Sequence, residues 1–201
     1  MNAEQVRDAV AAGAIVLDLR PPERFAAGHV PGAVTMQFNR ADLADRAELI
    51  LPHGQELVVQ DEPDAEARTA VDLLREAGFH VLGHLEGGLA AWRAAGEPVA
   101  LLPLMSVTEL HERAADYLVL DVREGFEYRN GHVEGSVHLP TEEAWERSQE
   151  IESDRPIAVI CDDQIRSAAV ASMLQREGRV ARLVTGGIVD WLERGYPVVT
   201  E

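Results

Sequence analysis

Apolar and polar positions fall into a regular alternation of short apolar runs and amphipathic stretches, with glycines at many of the breaks. A 3.6-residue period predicts helices over 4–12 and 67–77, the second ended by Gly78. Compact runs of β-branched and aliphatic residues predict strands at Ile15–Asp18, 33–36, 57–60 and 81–85. Strands separated by helices imply a parallel sheet covered by helices, an α/β architecture. In the second half the most informative pair is a strand over 156–160 followed by a helix over 167–177 that Gly178 ends.

The second half repeats the first. LDLR at 17–20 returns as LDVR 103 residues later, and GHVPGAV from Gly28 returns as GHVEGSV from Gly131. GGLAAW from Gly87 returns as GGIVDW 99 residues later, and GEPV from Gly96 as GYPV from Gly195. Two copies of one small domain therefore stand in tandem, over 1–100 and 101–201, each expected to hold its own small parallel sheet flanked by helices. The join at 100–105 is short and apolar. Ser106 with Glu109 makes the capping-box pattern that opens a new helix.

Composition narrows the function classes. Eighteen basic residues, all Arg, face 35 acidic ones, for a net charge of −17. That balance argues against nucleic acid or an anionic membrane surface as a partner. The absence of Lys excludes Schiff-base chemistry and a Walker-type phosphate loop. One cysteine cannot form an internal disulfide, the first 20 residues carry charges where a secretory signal needs an apolar core, and no run approaches a membrane span. A cytoplasmic protein with a reduced thiol is expected. Scattered His residues and one Cys imply neither a metal site nor another cofactor.

The thiol is the candidate for chemistry. Cys161 closes the apolar run and opens CDDQIRS, so it sits on a tight strand-to-helix loop. Unpaired amides and the positive end of the helix dipole favour a thiolate there and any anion bound to it.

In order along both halves, D-x-R, G-H-x-P-G-A or its variant, a strand leading to a loop and helix, G-G-x-x-x-W and G-x-P resemble the rhodanese family. The resemblance implies a fold of two tandem rhodanese-like α/β domains and a sulfurtransferase. By position, Cys161 would carry a persulfide taken from thiosulfate or a similar donor and pass it to cyanide, a thiol or a protein thiol. The backbone of Asp162, Asp163, Gln164, Ile165, Arg166 and Ser167 would form the loop around it. Arg166 would close the loop, either by binding the substrate anion or by clamping against Glu127 or Asp121. Asp121, Arg123 and Glu127 are read as structural support, and His29 and His132 as groups that orient turns.

Copy one carries Asp61 where copy two has Cys161. A carboxylate cannot hold a persulfide, so domain one is expected to be catalytically inactive. In copy two, Asp162 and Asp163 oppose both a thiolate and an anionic donor. Related phosphatases have five residues between Cys and Arg, whereas four lie here, a smaller cradle that fits one sulfur better than a phosphoryl group. The rival reading is a non-catalytic binding or regulatory module in which the acidic loop has abandoned the reaction.

Overall fold

The computed structural model describes residues 1–52 and 54–201. The chain folds as two compact units, Met1–Leu101 and Leu102–Glu201.

Unit one runs α1 (Ala3–Ala11), β1 (Ile15–Asp18), α2 (Pro22–Ala26), β2 (Val34–Thr35), α3 (Leu43–Ile50), β3 (Glu56–Gln60), α4 (Asp64–Glu76), β4 (His80–His84) and α5 (Gly88–Ala94). Unit two runs β5 (Leu104–Ser106), α6 (Val107–Arg113), β6 (Leu118–Asp121), α7 (Gly125–Asn130), β7 (Val137–His138), α8 (Ala144–Arg147), β8 (Ile157–Ile160), α9 (Ile165–Arg176), β9 (Ala181–Thr185) and α10 (Gly187–Glu193). The sheet orders are β2-β1-β3-β4 and β5-β9-β8-β6-β7, with every pairing parallel.

Parallel strands need helical crossovers, which cover both faces of each sheet and leave its central strands apolar throughout. In unit two, Val107 and Leu110 of α6 and Ile188 and Trp191 of α10 pack with Ala158 and Ile160 on one face. Ile157 and Val159 are equally buried on the other face, the side of α9. Small residues (Ala168, Ala169, Ala171) let α9 lie close to the strands. Burying one large aliphatic side chain this way contributes on the order of 2 kcal/mol.

Sequence patterning treats 100–105 as a join. The structure instead uses its end, Leu104–Ser106, as the edge strand β5, with Met105 buried and its two neighbours exposed. Its three residues alternate with a period of two, too short a signal to read against the leucines around it. Ser106 then caps α6, its Oγ accepting from the amide of Glu109 at 3.1 Å. The counterpart in unit one is Asn2, which caps α1, its Oδ1 accepting from the amide of Gln5 at 2.9 Å.

The D-x-R repeats are buried ion pairs. Arg20 grips Asp18 through Nε and Nη2 and donates to the carbonyl of Gly28, and Arg123 does the same with Asp121 and Gly131. Each pair ties the end of a strand to the G-H turn that follows the next helix, which fixes the carboxyl edge of the sheet. In open parallel sheets that edge is where ligands bind. Among the described residues, no helix is long and apolar enough to cross a membrane.

Candidate functional site

Cys161 lies one residue beyond β8, fully buried, at the start of the loop that enters α9. Its Sγ accepts from the amides of Gln164 and Ser167, both at 3.3 Å, and lies 3.2 Å from the Oγ of Ser167. The amides at the start of a helix have no intrahelical partner, so they are available to the sulfur. The loop curls tightly enough for this because Gln164 adopts φ of 110°, the one positive φ outside glycine among the described residues. A side chain pays on the order of 1 kcal/mol for that conformation. The cradle is thus a strained feature of this loop rather than an ordinary helix start.

The two aspartates diverge. Asp163 turns back into the loop: its Oδ1 accepts from the amide of Ile165 at 3.0 Å and sits 3.9 Å from the Cys161 sulfur. One carboxylate oxygen therefore takes a loop amide and faces the thiol at close range. Asp162 turns outward and accepts from Nη2 of Arg166 at 2.7 Å.

Arg166 is a clamp in this structure. Its Nη1 and Nη2 donate to the two oxygens of Glu127, at 2.7 and 2.9 Å, a bidentate pair of the strong, orienting kind. With Asp162 on the same guanidinium, every strong acceptor around Arg166 is one of the chain's own acids. Glu127 is held down to about 2, first by its hydrogen bonds with Arg166, despite partial burial. Asp162 is pushed up to about 6, chiefly by burial and then by Glu127 beside it. As pH falls, Asp162 is therefore the member of the pair that takes the proton. Asp121 and Arg123 stay together beneath the loop, and Arg123 comes within 3.8 Å of Asp162. Ile165 is partly exposed at the rim.

Sequence reasoning missed three features of the site. Glu124 caps α7, its amide donating to the carboxylate of Glu127 at 2.7 Å; the spacing Glu124-x-x-Glu127 is a capping signal that was there to be read. Glu142 acts on Glu124, whose carboxyl burial pushes above its usual range. Gly187, at the start of α10, lies against the backbone carbonyls of Cys161 and Asp162, and the amide of Ile188 donates to the Cys161 carbonyl at 2.8 Å.

Unit one has the same frame and a different filling. Asp18 pairs with Gln60 as Asp121 pairs with Ile160, which puts Asp61 in the place of Cys161. Gln60 stands where Ile160 does and buries its amide with no hydrogen-bond partner among the described residues. The Asp61 carboxyl is buried, with one oxygen accepting from the amide of Glu62 at 2.8 Å and the other without a partner among the described residues. Glu62 folds over Gly88 and accepts from the amide of Leu89 at 3.2 Å, so the chain's own carboxylate occupies this loop's mouth.

Burial raises the Asp61 carboxyl from 3.8 to about 6. Between those values the folded chain keeps a proton that the unfolded chain releases, so stability falls as pH rises through that window. Asp61→Asn keeps the shape and removes the charge. It is expected to stabilise the protein by about 2 kcal/mol at pH 7.5, with the gain vanishing near pH 4. Urea unfolding of both proteins at the two pH values measures it; a pH-independent difference would show that the buried charge is not the cause.

Comparison with known proteins fits this geometry. Residues 2–95 and 106–194 each match the family model of the rhodanese-like domain. The chain is 30% identical over 95 residues to the thiosulfate sulfurtransferase GlpE of Ectopseudomonas mendocina, covering 47% of this chain and 84% of that protein. It is 38% identical over 99 residues to the HTH-type transcriptional regulator Rv0324 of Mycobacterium tuberculosis, covering 49% of this chain and 42% of the regulator. Several curated relatives are thus much longer than the shared segment; of the putative sulfur carrier protein YrkF of Bacillus subtilis the chain covers 40%. Among solved structures, a rhodanese-related protein from Thermoplasma volcanium is 40% identical, with a TM-score of 0.48 and coverage of 49% of this chain and 99% of that one. The chain belongs to the rhodanese-like family, as a tandem of two such domains.

Proposed function

We propose that this protein is a sulfurtransferase in which Cys161 of the second domain carries a persulfide and the first domain is a catalytically silent companion. The observation that carries the reading is the seat of the Cys161 sulfur, with two loop amides at 3.3 Å and the Ser167 hydroxyl at 3.2 Å. Donors so placed stabilise a thiolate and, after transfer, the charge of a persulfide.

The thiolate attacks the outer, sulfane sulfur of a donor such as thiosulfate. A new S–S bond forms on Cys161, the donor's S–S bond breaks, and its electron pair leaves with sulfite or with the donor thiolate. A thiol, cyanide or protein-thiol acceptor then attacks the outer sulfur and returns Cys161 to the thiolate. Cys161 is fully buried, so transfer requires the loop to open by about the width of a sulfur atom. A lone thiol used this way suits a reducing compartment such as the cytoplasm.

Intact mass spectrometry after incubation with thiosulfate or a low-molecular-weight persulfide tests the reading. The expected result is a gain of one sulfur atom that dithiothreitol removes. No adduct from any donor would favour the rival, a binding module whose loop acids have replaced the reaction.

A further inference from the structure

The loop's cations are engaged by its own acids, and this bears on which donor the site accepts. Arg166 has Glu127 on both its terminal nitrogens and Asp162 on one of them. Arg123 is buried on Asp121 and the Gly131 carbonyl. Around Arg166 stand Glu127 and Asp162, then Glu124 with Glu142 close to it, while Asp163 faces the sulfur from inside the loop. Glu127 and Asp162 thus hold Arg166, and Glu124, Glu142 and Asp163 add further negative charge around the loop, while Arg123 stays paired with Asp121. A dianion approaching Arg166 meets a guanidinium already held by two of the chain's own carboxylates. Next to the clamp in sequence, Phe126 is 62% exposed and Ile165 36%. Exposed apolar groups beside acids suit the long stems and charged heads of basic side chains, and an aromatic face adds attraction for a guanidinium.

We propose that Glu127 and Asp162 determine specificity: by occupying Arg166 they make the mouth of the Cys161 loop an acidic site for a cysteine persulfide flanked by basic residues, in preference to a dianion such as thiosulfate. This rests on the sulfurtransferase reading above. In the transfer, the Cys161 thiolate attacks the outer sulfur of the peptide persulfide. The peptide's S–S bond breaks, the peptide leaves as its thiolate, and the transferred sulfur keeps its proton on Cys161.

The test uses the full chain and three donors: thiosulfate, a persulfidated Arg-Cys-Arg peptide and a persulfidated Glu-Cys-Glu peptide. The rate of sulfur loading on Cys161 is read by quenched intact mass. The Arg-flanked peptide is expected to load about tenfold faster than the Glu-flanked one at low salt, and the ratio is expected to collapse toward one in about 0.5 M NaCl. In the double variant Glu127→Gln, Asp162→Asn the ratio is expected to shrink at low salt and loading from thiosulfate to rise. Should the variant misfold, the salt dependence of the native chain still decides the matter. Equal loading by the two peptides at every salt concentration would overturn the proposal and leave the persulfide on Cys161 standing. Loading from no donor would remove the persulfide and this proposal together.

Discussion

Cys161→Ser is expected to abolish sulfur loading and to lower sulfur transfer from any donor, thiosulfate included, to the level of the uncatalysed reaction. The argument is one of chemistry rather than of packing. A serine oxygen stays protonated at neutral pH, is a poor nucleophile without a base, and cannot form the S–S bond on which the cycle depends. The fold has little reason to object. The two amides at 3.3 Å and the Ser167 hydroxyl at 3.2 Å are partners a buried hydroxyl can use, so the new polar atom is satisfied. Its thermal midpoint should therefore stay within about 4 °C of the native value. Intact mass with thiosulfate and with a low-molecular-weight persulfide, beside a melting curve, gives both halves of the result. Transfer that survives in the serine variant would remove Cys161 from the reaction, and a collapse of the fold would show that the cysteine is a packing residue.

Much of this architecture was legible in the sequence because its signals are local. The strands announce themselves as apolar runs, α4 and α9 as periodic stretches ended by Gly78 and Gly178, and the tandem repeat as matched motifs. Placing Cys161 on a strand-to-helix loop needed nothing beyond its neighbours. What escaped depends on contacts distant in the chain. Arg166 and Glu127 are 39 residues apart and meet because β6 and β8 lie side by side, a pairing that brings the helix after one strand to the loop after the other. Sequence offers both as candidates and leaves Glu127 and Asp121 open as partners of Arg166; the two-pronged grip on Glu127 and the further bond to Asp162 need the fold. Glu62 sealing the mouth of the first loop is of the same kind, a contact 27 residues away. Nor does the sequence assign the positive φ to Gln164, because Asp tolerates such angles better than Gln and Asp162 and Asp163 stand directly before it.

The two halves answer differently to one shared constraint. Both carry a Gly-Gly step at which a helix starts against the loop. Gly88 and Gly187 adopt φ of 56° and 60°, where an alanine is strained whatever space it finds. In unit one a Cβ on Gly88 would meet atoms of the Glu62 side chain, which can swing away. In unit two a Cβ on Gly187 would strike the backbone carbonyls of Cys161 and Asp162, which cannot move without moving the sulfur. The same glycine lets the amide of Ile188 donate to the Cys161 carbonyl at 2.8 Å, so backbone pinning and close approach depend on one missing methyl group.

Gly187→Ala should therefore cost about 3 kcal/mol of stability, roughly half from the left-handed backbone and half from overpacking against the loop. Gly88→Ala should cost about half as much, because only the backbone strain remains once Glu62 turns out. Chemical denaturation of the full-length variants compares the two. Sulfur loading on Cys161 separates them further: the Gly187 variant is expected to load far more slowly even where it is folded, since the pushed loop carries the amides of Gln164 and Ser167 away from the sulfur, while the Gly88 variant loads as the native protein does. Equal losses of stability with loading intact in both would mean that the loop is not held from behind by α10, and that the cradle is set by α9 and its strained entry at Gln164.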